Sequence, residues 1–274
     1  IMLRDFSLRT FTPIVIASVV SAATTHAFLP NEPLFPGSIG LTIEAFTWRE
    51  LVNYVLLGIV CGVAAVTFVK TLYASMKWFS KIRIPAILRP AIGAAGLGLL
   101  GVAALKMTGS LPQFYGNGYP AIAELLSQQT YFDDAGGLRS ASIILGPLIL
   151  LALLKGVATC LTIGSGGAGG VFAPSLLMGA AVGGAFGFIV TWLGWFPSAT
   201  PAYYALVGMA AMVAASVHAP LTAILMIYEI TQRYEVILPL MLAAVISTVV
   251  ARLIDRESVY TVKLTPVSYT HLRA

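Results

Sequence analysis

The chain has 274 residues, of which 58% are hydrophobic and only 10% are charged. Soluble domains carry about 25% charged residues, so this composition excludes an ordinary water-soluble domain and makes lipid the solvent for much of the chain. The net charge of +5 is not a nucleic-acid signal in this setting, because polytopic membrane proteins keep Lys and Arg in their cytoplasmic loops.

Eight apolar segments are candidates for membrane helices, since a helix needs about 20 residues to span the hydrocarbon core. In chain order they are 12–27, 51–69 with a helical continuation to about 79, 90–105, 143–161, 171–193, 203–217, 220–230 and 236–251. Segments 203–217 and 220–230 are too short to span upright, and such short pieces interrupted by Gly and Pro are typical of broken or re-entrant helices. We therefore predict an all-α polytopic membrane protein, a bundle of tilted and broken helices.

Between the second and third segments lies a cluster of basic residues, Lys77, Lys81, Arg83 and Arg89. It fits a cytoplasmic loop, and a patch for lipid headgroups is the alternative. The two cysteines, Cys61 and Cys160, lie far apart in apolar surroundings and belong to no CxxC or Cys/His cluster. They predict neither a metal site nor a disulfide, and we interpret them as small buried hydrophobic residues.

The sequence GSGGAGGVFAPS, residues 164–175, places five glycines in a stretch that has no acidic or basic side chain between Lys155 and Glu229. Gly164, Gly166 and Gly169 match GxGxxG, but the long apolar segment before them is not the short strand of a dinucleotide-binding unit.

Glycines this dense disfavour a helix, because each costs about 1 kcal/mol relative to Ala. We predict that residues 164–170 are non-helical, that a helix begins near Val171, and that Pro174 lies in its first turn. By contrast, Gly179, Gly183 and Gly187 recur every four residues, as in a helix-packing face.

A helix that begins inside a membrane presents unpaired N–H groups and the positive end of its dipole, which attract anions. Preceding glycines such as Gly170 have no side chain to block the approach of an ion to the backbone. Valine in place of Gly170 is therefore expected to crowd this approach and to disfavour a backbone conformation with positive φ. The motif has no Lys or Arg, as suits a transport site that must release its ion. The motif thus predicts a weak backbone anion site.

These residues also resemble a known family. GSGGAGGVFAPSLLMGAAVGGAFG is similar to the third signature motif of the ClC chloride channels and chloride/proton antiporters. The similarity continues through ALVGMAAMVAASVHAPLTAILMIYEIT and VILPLMLAAVISTVVARL to ESVYTVKL, which resembles the final membrane helix. It reaches back over YGNGYPAIAELL and FTPIVIASVVSAATTHAFL, and so covers nearly all of residues 1–264.

The resemblance implies a fold of two inverted halves, in which chloride binds where several helix N-termini converge. It assigns the ion to the backbone amides of Val171 and Phe172 and to the hydroxyl of Tyr260. It implies no enzymatic activity, no cofactor and no metal. Chloride would be the transported ion, protons would be exchanged in an antiporter, and the protein would be a homodimer in a prokaryotic plasma membrane.

The GSGIP-like and GxEGP-like motifs of the family's first half do not occur here. The chain therefore resembles the C-terminal half of the membrane domain, and Ser165 does not inherit the role of the chloride-binding serine of that first half. Residues 265–274 match nothing in the family, and we interpret them as an assembly scar.

Three alternatives stay open at this point. The protein could be a passive voltage-gated channel rather than an antiporter. It could be an intramembrane serine protease with Ser165 and His218 as nucleophile and base, although this pairing is arbitrary. It could also be a structural membrane subunit.

Other polar residues have competing interpretations. Lys155 is expected to snorkel or to bind carbonyl groups, with a role in the inner anion vestibule as the alternative. Glu229 fits a membrane boundary with a structural partner better than a proton path. His218 is expected near a helix start, and His26 at the membrane interface.

Overall fold

The computed structural model describes residues 8–28, 35, 50–109, 112–133, 136–195, 199–232 and 234–260. These residues form nine α-helices joined by turns and short 3-10 segments, which confirms the all-α class. The helices are α1 (Leu8–Phe28), α2 (Glu50–Lys81), α3 (Arg89–Thr108), α4 (Tyr119–Leu125), α5 (Ala141–Gly164), α6 (Phe172–Trp192), α7 (Pro201–Val217), α8 (Pro220–Thr231) and α9 (Ile237–Ile254).

Each of the eight predicted apolar segments lies in a helix to within one residue at either end, and the second continues to Lys81, close to the predicted limit. Among the described residues, five helical stretches are long and apolar enough to cross a membrane: those of α1, α2, α5 and α6, and α9 together with the turn before it. Helices α7 and α8 are apolar but have only 17 and 12 residues, as expected for pieces that do not span upright.

The core of the molecule is α7, whose residues from Pro201 to Ser216 are all buried. It packs against α2, α6, α8 and α9. The approach of α6 to α7 is so close that a Cβ added to Gly179 would lie 2.8 Å from the Cα of Met209, and one on Gly183 would lie 3.0 Å from the Cα of Gly208. The glycine face of α6 is therefore a packing face, as its spacing predicted.

Helix α2 packs in the same way against α9. A Cβ on Gly58 would lie 3.0 Å from the carbonyl oxygen of Ala243, and one on Gly62 would lie 2.9 Å from that of Ser247. The Ser247 hydroxyl donates to the carbonyl of Ala211 at 2.8 Å and so ties α9 to α7. Both cysteines are buried free thiols, as expected.

Several apolar faces remain exposed in this chain. All side chains from Phe11 to Phe28 on α1 are exposed. Large apolar side chains also project from α8 and α9, namely Leu221, Leu225, Met226, Leu238, Met241, Val245, Val249, Leu253 and Ile254. The basic Lys77, Lys81 and Arg83 are exposed around the turn that joins α2 to α3.

Candidate functional site

The glycine-rich segment forms a loop between α5 and α6. Gly164 is the last residue of α5, and α6 begins at Phe172 after the N-cap residue Val171. The predicted non-helical segment is thus confirmed, with Gly164 as the exception because it still belongs to α5. Pro174 is the third residue of α6, where its missing N–H leaves no helical hydrogen bond unmade.

Local hydrogen bonds explain why α5 ends where it does. The N–H of Gly166 donates to the carbonyl of Ile163 at 3.1 Å, and that of Gly167 donates to Thr162 at 2.9 Å. This pair of bonds is a Schellman motif, which needs a left-handed residue after the cap. Gly166 supplies it with a φ of 93°, so glycine is required at this position by the backbone.

The other loop glycines have different roles. A Cβ on Gly167 would lie 2.7 Å from the Thr162 carbonyl oxygen, whereas the nearest atom to a Cβ on Gly169 would be a side-chain carbon of Ile163 at 3.3 Å. Gly170 has open space around its Cβ position and no positive φ. The expectation of backbone strain from a side chain at Gly170 is therefore wrong, and that requirement lies at Gly166 instead.

The loop carries the polypeptide to the start of α6. Residues 168–170 are exposed and 171–173 are half-buried. The first hydrogen bond of the helix runs from the N–H of Ser175 to the carbonyl of Val171 at 3.1 Å. The N–H groups before Ser175 have no carbonyl partner within the helix, because no earlier turn exists to supply one. They carry the positive partial charge of the helix end.

A cavity of about 400 Å³ lies beside the loop, between α3, α5 and the 112–118 turn. Gly169, Gly170, Ala173 and Pro174 contribute to its wall, together with Lys155 of α5. Val171, Phe172 and Tyr260 are not among its lining residues. This cavity is therefore not formed by the predicted anion ligands, and the convergence of Val171, Phe172 and Tyr260 on one ion stays a prediction.

Lys155 is only 3% exposed although it lies in an apolar helix. Its ammonium group donates to the carbonyl oxygens of Phe114 at 3.0 Å and Gly116 at 2.8 Å. The interpretation of Lys155 as a carbonyl-bonded lysine is confirmed. These two bonds attach the 112–118 turn to α5 and offset part of the cost of burying the charge.

Tyr260 lies in a turn after α9 and is 42% exposed. The residue before it is held on both sides: the N–H of Val259 donates to the Ser216 carbonyl at 3.0 Å, and the hydroxyl of Tyr73 donates to the Val259 carbonyl at 2.6 Å. Val259 is buried in the same hydrophobic cluster against which Val171 packs. The structure therefore brings the Tyr260 segment and the start of α6 to one cluster.

Sequence reasoning missed Tyr73, because nothing in its local sequence distinguishes it from an ordinary tyrosine of an apolar helix. The structure describes only the first four residues of the expected final helix, 257–260, and these form a turn or irregular backbone. Residues 261–264 and the tail 265–274 lie outside the described residues.

The proposed protease pair finds no support in the geometry. The Ser165 hydroxyl donates to the Thr162 carbonyl at 3.0 Å, and no hydrogen bond joins it to His218 within the described ranges. His218 is the C-cap of α7 with a φ of 59°, and Arg252 donates to its carbonyl at 3.1 Å. Burial, with a contribution from Arg252, lowers the pKa of His218, which favours the neutral imidazole.

Two further residues were assigned to membrane boundaries. Glu229 is exposed and lies two residues before the end of α8, and its place at a membrane boundary stays a prediction. His26 is exposed in the last turn of α1.

Comparison with known proteins gives consistent matches. Residues 1–252 match the model of a family described as voltage gated chloride channel. A chloride channel protein CLC-f from Arabidopsis thaliana is 35% identical over 241 residues, covering 83% of this chain and 28% of the relative. A voltage-gated ClC-type chloride channel ClcB from Salmonella typhi is 29% identical over 262 residues, covering 95% of this chain and 57% of the relative.

Solved structures agree with this assignment. A structure described as a slow cyanobacterial Cl⁻/H⁺ antiporter superposes with a TM-score of 0.63 at 32% identity, covering 81% of this chain and 48% of that one. A eukaryotic CLC transporter shares the fold with a TM-score of 0.55 at 22% identity. The chain thus spans about a quarter to somewhat over half the length of these relatives. From its matched residues and its fold, the chain belongs to the voltage-gated chloride channel family of membrane proteins.

Proposed function

We propose that the protein containing this chain transports chloride across a membrane in exchange for protons. The proposal rests chiefly on the start of α6, where a glycine loop without Lys or Arg leads to half-buried Val171 and Phe172. Their backbone amides and the Tyr260 hydroxyl would bind the anion. Because the loop and the first turn of α6 carry no cationic side chain, the ion would be held by dipoles alone and could leave again.

The antiport mode is supported by the cyanobacterial relative, whose structure is described as that of a Cl⁻/H⁺ antiporter. The second candidate, a passive channel, is favoured by the names of the curated relatives, which are chloride channels. The residues of the first half of the family pattern, on which this difference depends, are not in this chain.

The test is reconstitution of the full-length protein into liposomes loaded with chloride. Chloride efflux through an antiporter drives protons inward, so an external pH electrode should record alkalinisation that begins with chloride release. Chloride efflux without proton movement would establish the channel. Absence of chloride efflux, with protein shown to be inserted, would contradict both.

We further propose that the full-length protein is a homodimer in the plasma membrane. The exposed apolar face of α8 and α9, which includes Met241 and Val245, is the surface that would be shared. Met241 and Val245 are exposed apolar side chains, so in a monomer this part of the face would contact lipid.

Cysteine crosslinking tests the dimer. Val245→Cys in the full-length protein should give a crosslinked pair in membranes, because a two-fold axis brings this face against its copy. Leu99→Cys on α3, which is also exposed, is the control and should remain uncrosslinked. Monomers for both variants under mild detergent and in membranes would contradict the dimer.

A further inference from the structure

Tyr260 depends on its neighbours for its position, because it lies in a turn beyond the last described helix. The preceding residue, Val259, uses both its N–H and its carbonyl in long-range hydrogen bonds. The N–H bond goes to the backbone of Ser216 at the end of α7. The carbonyl bond comes from a side chain, the hydroxyl of Tyr73, which lies 186 positions away in the sequence and in the C-terminal third of α2.

The same turn of α2 also contacts the end of α5. The Ser75 hydroxyl lies 3.1 Å from the carbonyl oxygen of Cys160 and 2.7 Å from that of Leu72. A Cβ on Gly164 would lie 3.0 Å from the Cβ of Ser75. Helix α2 therefore packs closely against Gly164, the last residue of α5 before the glycine loop. One turn of α2 thus contacts both chain segments that lead to the proposed ligands.

We propose that Tyr73 is a positioning residue for Tyr260, and that the Tyr73–Ser75 turn of α2 sets the spacing between the Tyr260 hydroxyl and the start of α6. This inference rests on the proposed function of Tyr260 as an anion ligand. Tyr73 touches no ion itself: its hydroxyl fixes the peptide group between Val259 and Tyr260, and this peptide orients the Tyr260 side chain.

The geometry supports a precise role for this hydrogen bond. At 2.6 Å it is short for a bond between a hydroxyl and a carbonyl, and Val259 is only 6% exposed, which limits the access of water to its main chain. If Tyr73 loses its hydroxyl, the carbonyl of Val259 loses this donor, and Val259 keeps its N–H bond to Ser216. With one of these two long-range bonds removed, the peptide next to Tyr260 samples more orientations, and the contact of Tyr260 with an ion weakens.

The test uses the full-length protein and measures chloride binding by isothermal titration for Tyr73→Phe, Tyr260→Phe and the double variant. Tyr73→Phe keeps the ring and its packing, so folding should be retained. We expect it to weaken chloride binding by roughly threefold to tenfold, in line with a lost hydrogen bond of about 1 kcal/mol. In the Tyr260→Phe background the same substitution should have no further effect, because the hydroxyl that it positions is already absent.

The matched control is Tyr131→Phe. The Tyr131 hydroxyl also donates to a main-chain carbonyl, that of Leu125 at 3.0 Å, and it is fully buried but belongs to no part of the proposed site. This variant should lose a similar amount of thermal stability and keep its chloride affinity. A purely structural role of Tyr73 would make the two variants behave alike.

The outcomes separate the two proposals. Weakened binding in Tyr260→Phe with unchanged binding in Tyr73→Phe would overturn the positioning role and leave the function of Tyr260 intact. Additive losses in the double variant would also overturn it, since Tyr73 would then act independently of Tyr260. Unchanged binding in Tyr260→Phe would remove Tyr260 from the anion site, and the positioning role would fail with it.

Discussion

Gly183→Ala is expected to destabilise the protein by about 3 kcal/mol, the upper end of the usual cost of overpacking a core, which is a large effect for one added methyl group. The new Cβ would collide with the carbonyl oxygen of Tyr204 and lie 3.0 Å from the Cα of Gly208. Both are backbone atoms of α7, so no side chain can rotate away, and the two helices must separate. Thermal unfolding in detergent, followed by size-exclusion chromatography after heating, measures the change.

The control for this substitution is Gly98→Ala on α3. Gly98 is also a helical glycine, but a Cβ there meets nothing within 4 Å. Alanine in place of glycine favours a helix by about 1 kcal/mol, so Gly98→Ala should leave the midpoint unchanged or raise it. Equal behaviour of the two variants would mean that α6 and α7 do not approach each other as closely as the structure has them.

Tyr260→Phe is expected to weaken chloride binding by roughly tenfold while the protein remains folded. The substitution removes one hydrogen bond to a charged ligand, which is worth about 1.5–3 kcal/mol, and about 1.4 kcal/mol corresponds to a tenfold change in affinity. Because Tyr260 is 42% exposed, water can replace part of this bond, which places the expected loss at the lower end. Isothermal titration of chloride in the full-length protein measures it.

Tyr234→Phe is the matched control, since Tyr234 is 77% exposed in the turn before α9 and belongs to no part of the site. It should bind chloride like the unmodified protein. If Tyr260→Phe and Tyr234→Phe bind chloride equally well, the anion is held without the Tyr260 hydroxyl, and the site consists of backbone amides only.

The sequence by itself determined the long apolar helices and the glycine loop, but not the short helix α4. Apolar segments bounded by Pro, Gly and polar residues predicted eight helical regions, and the density of glycines before Val171 predicted the break between α5 and α6. The four-residue spacing of Gly179, Gly183 and Gly187 identified the packing face of α6. These features are local, because propensities, cap residues and helical periodicity act within a few turns of the chain.

The tertiary structure alone decided which parts of the site meet. The bond from Tyr73 to Val259 and the bonds from Lys155 to the 112–118 turn join residues about 40 to 190 positions apart, and no periodicity in the sequence encodes such pairs. The position of Val259, next to Tyr260, was likewise set by its hydrogen bonds to Tyr73 of α2 and Ser216 of α7. Local signals specify where helices begin and end, whereas the relative placement of their side chains depends on how distant helices pack.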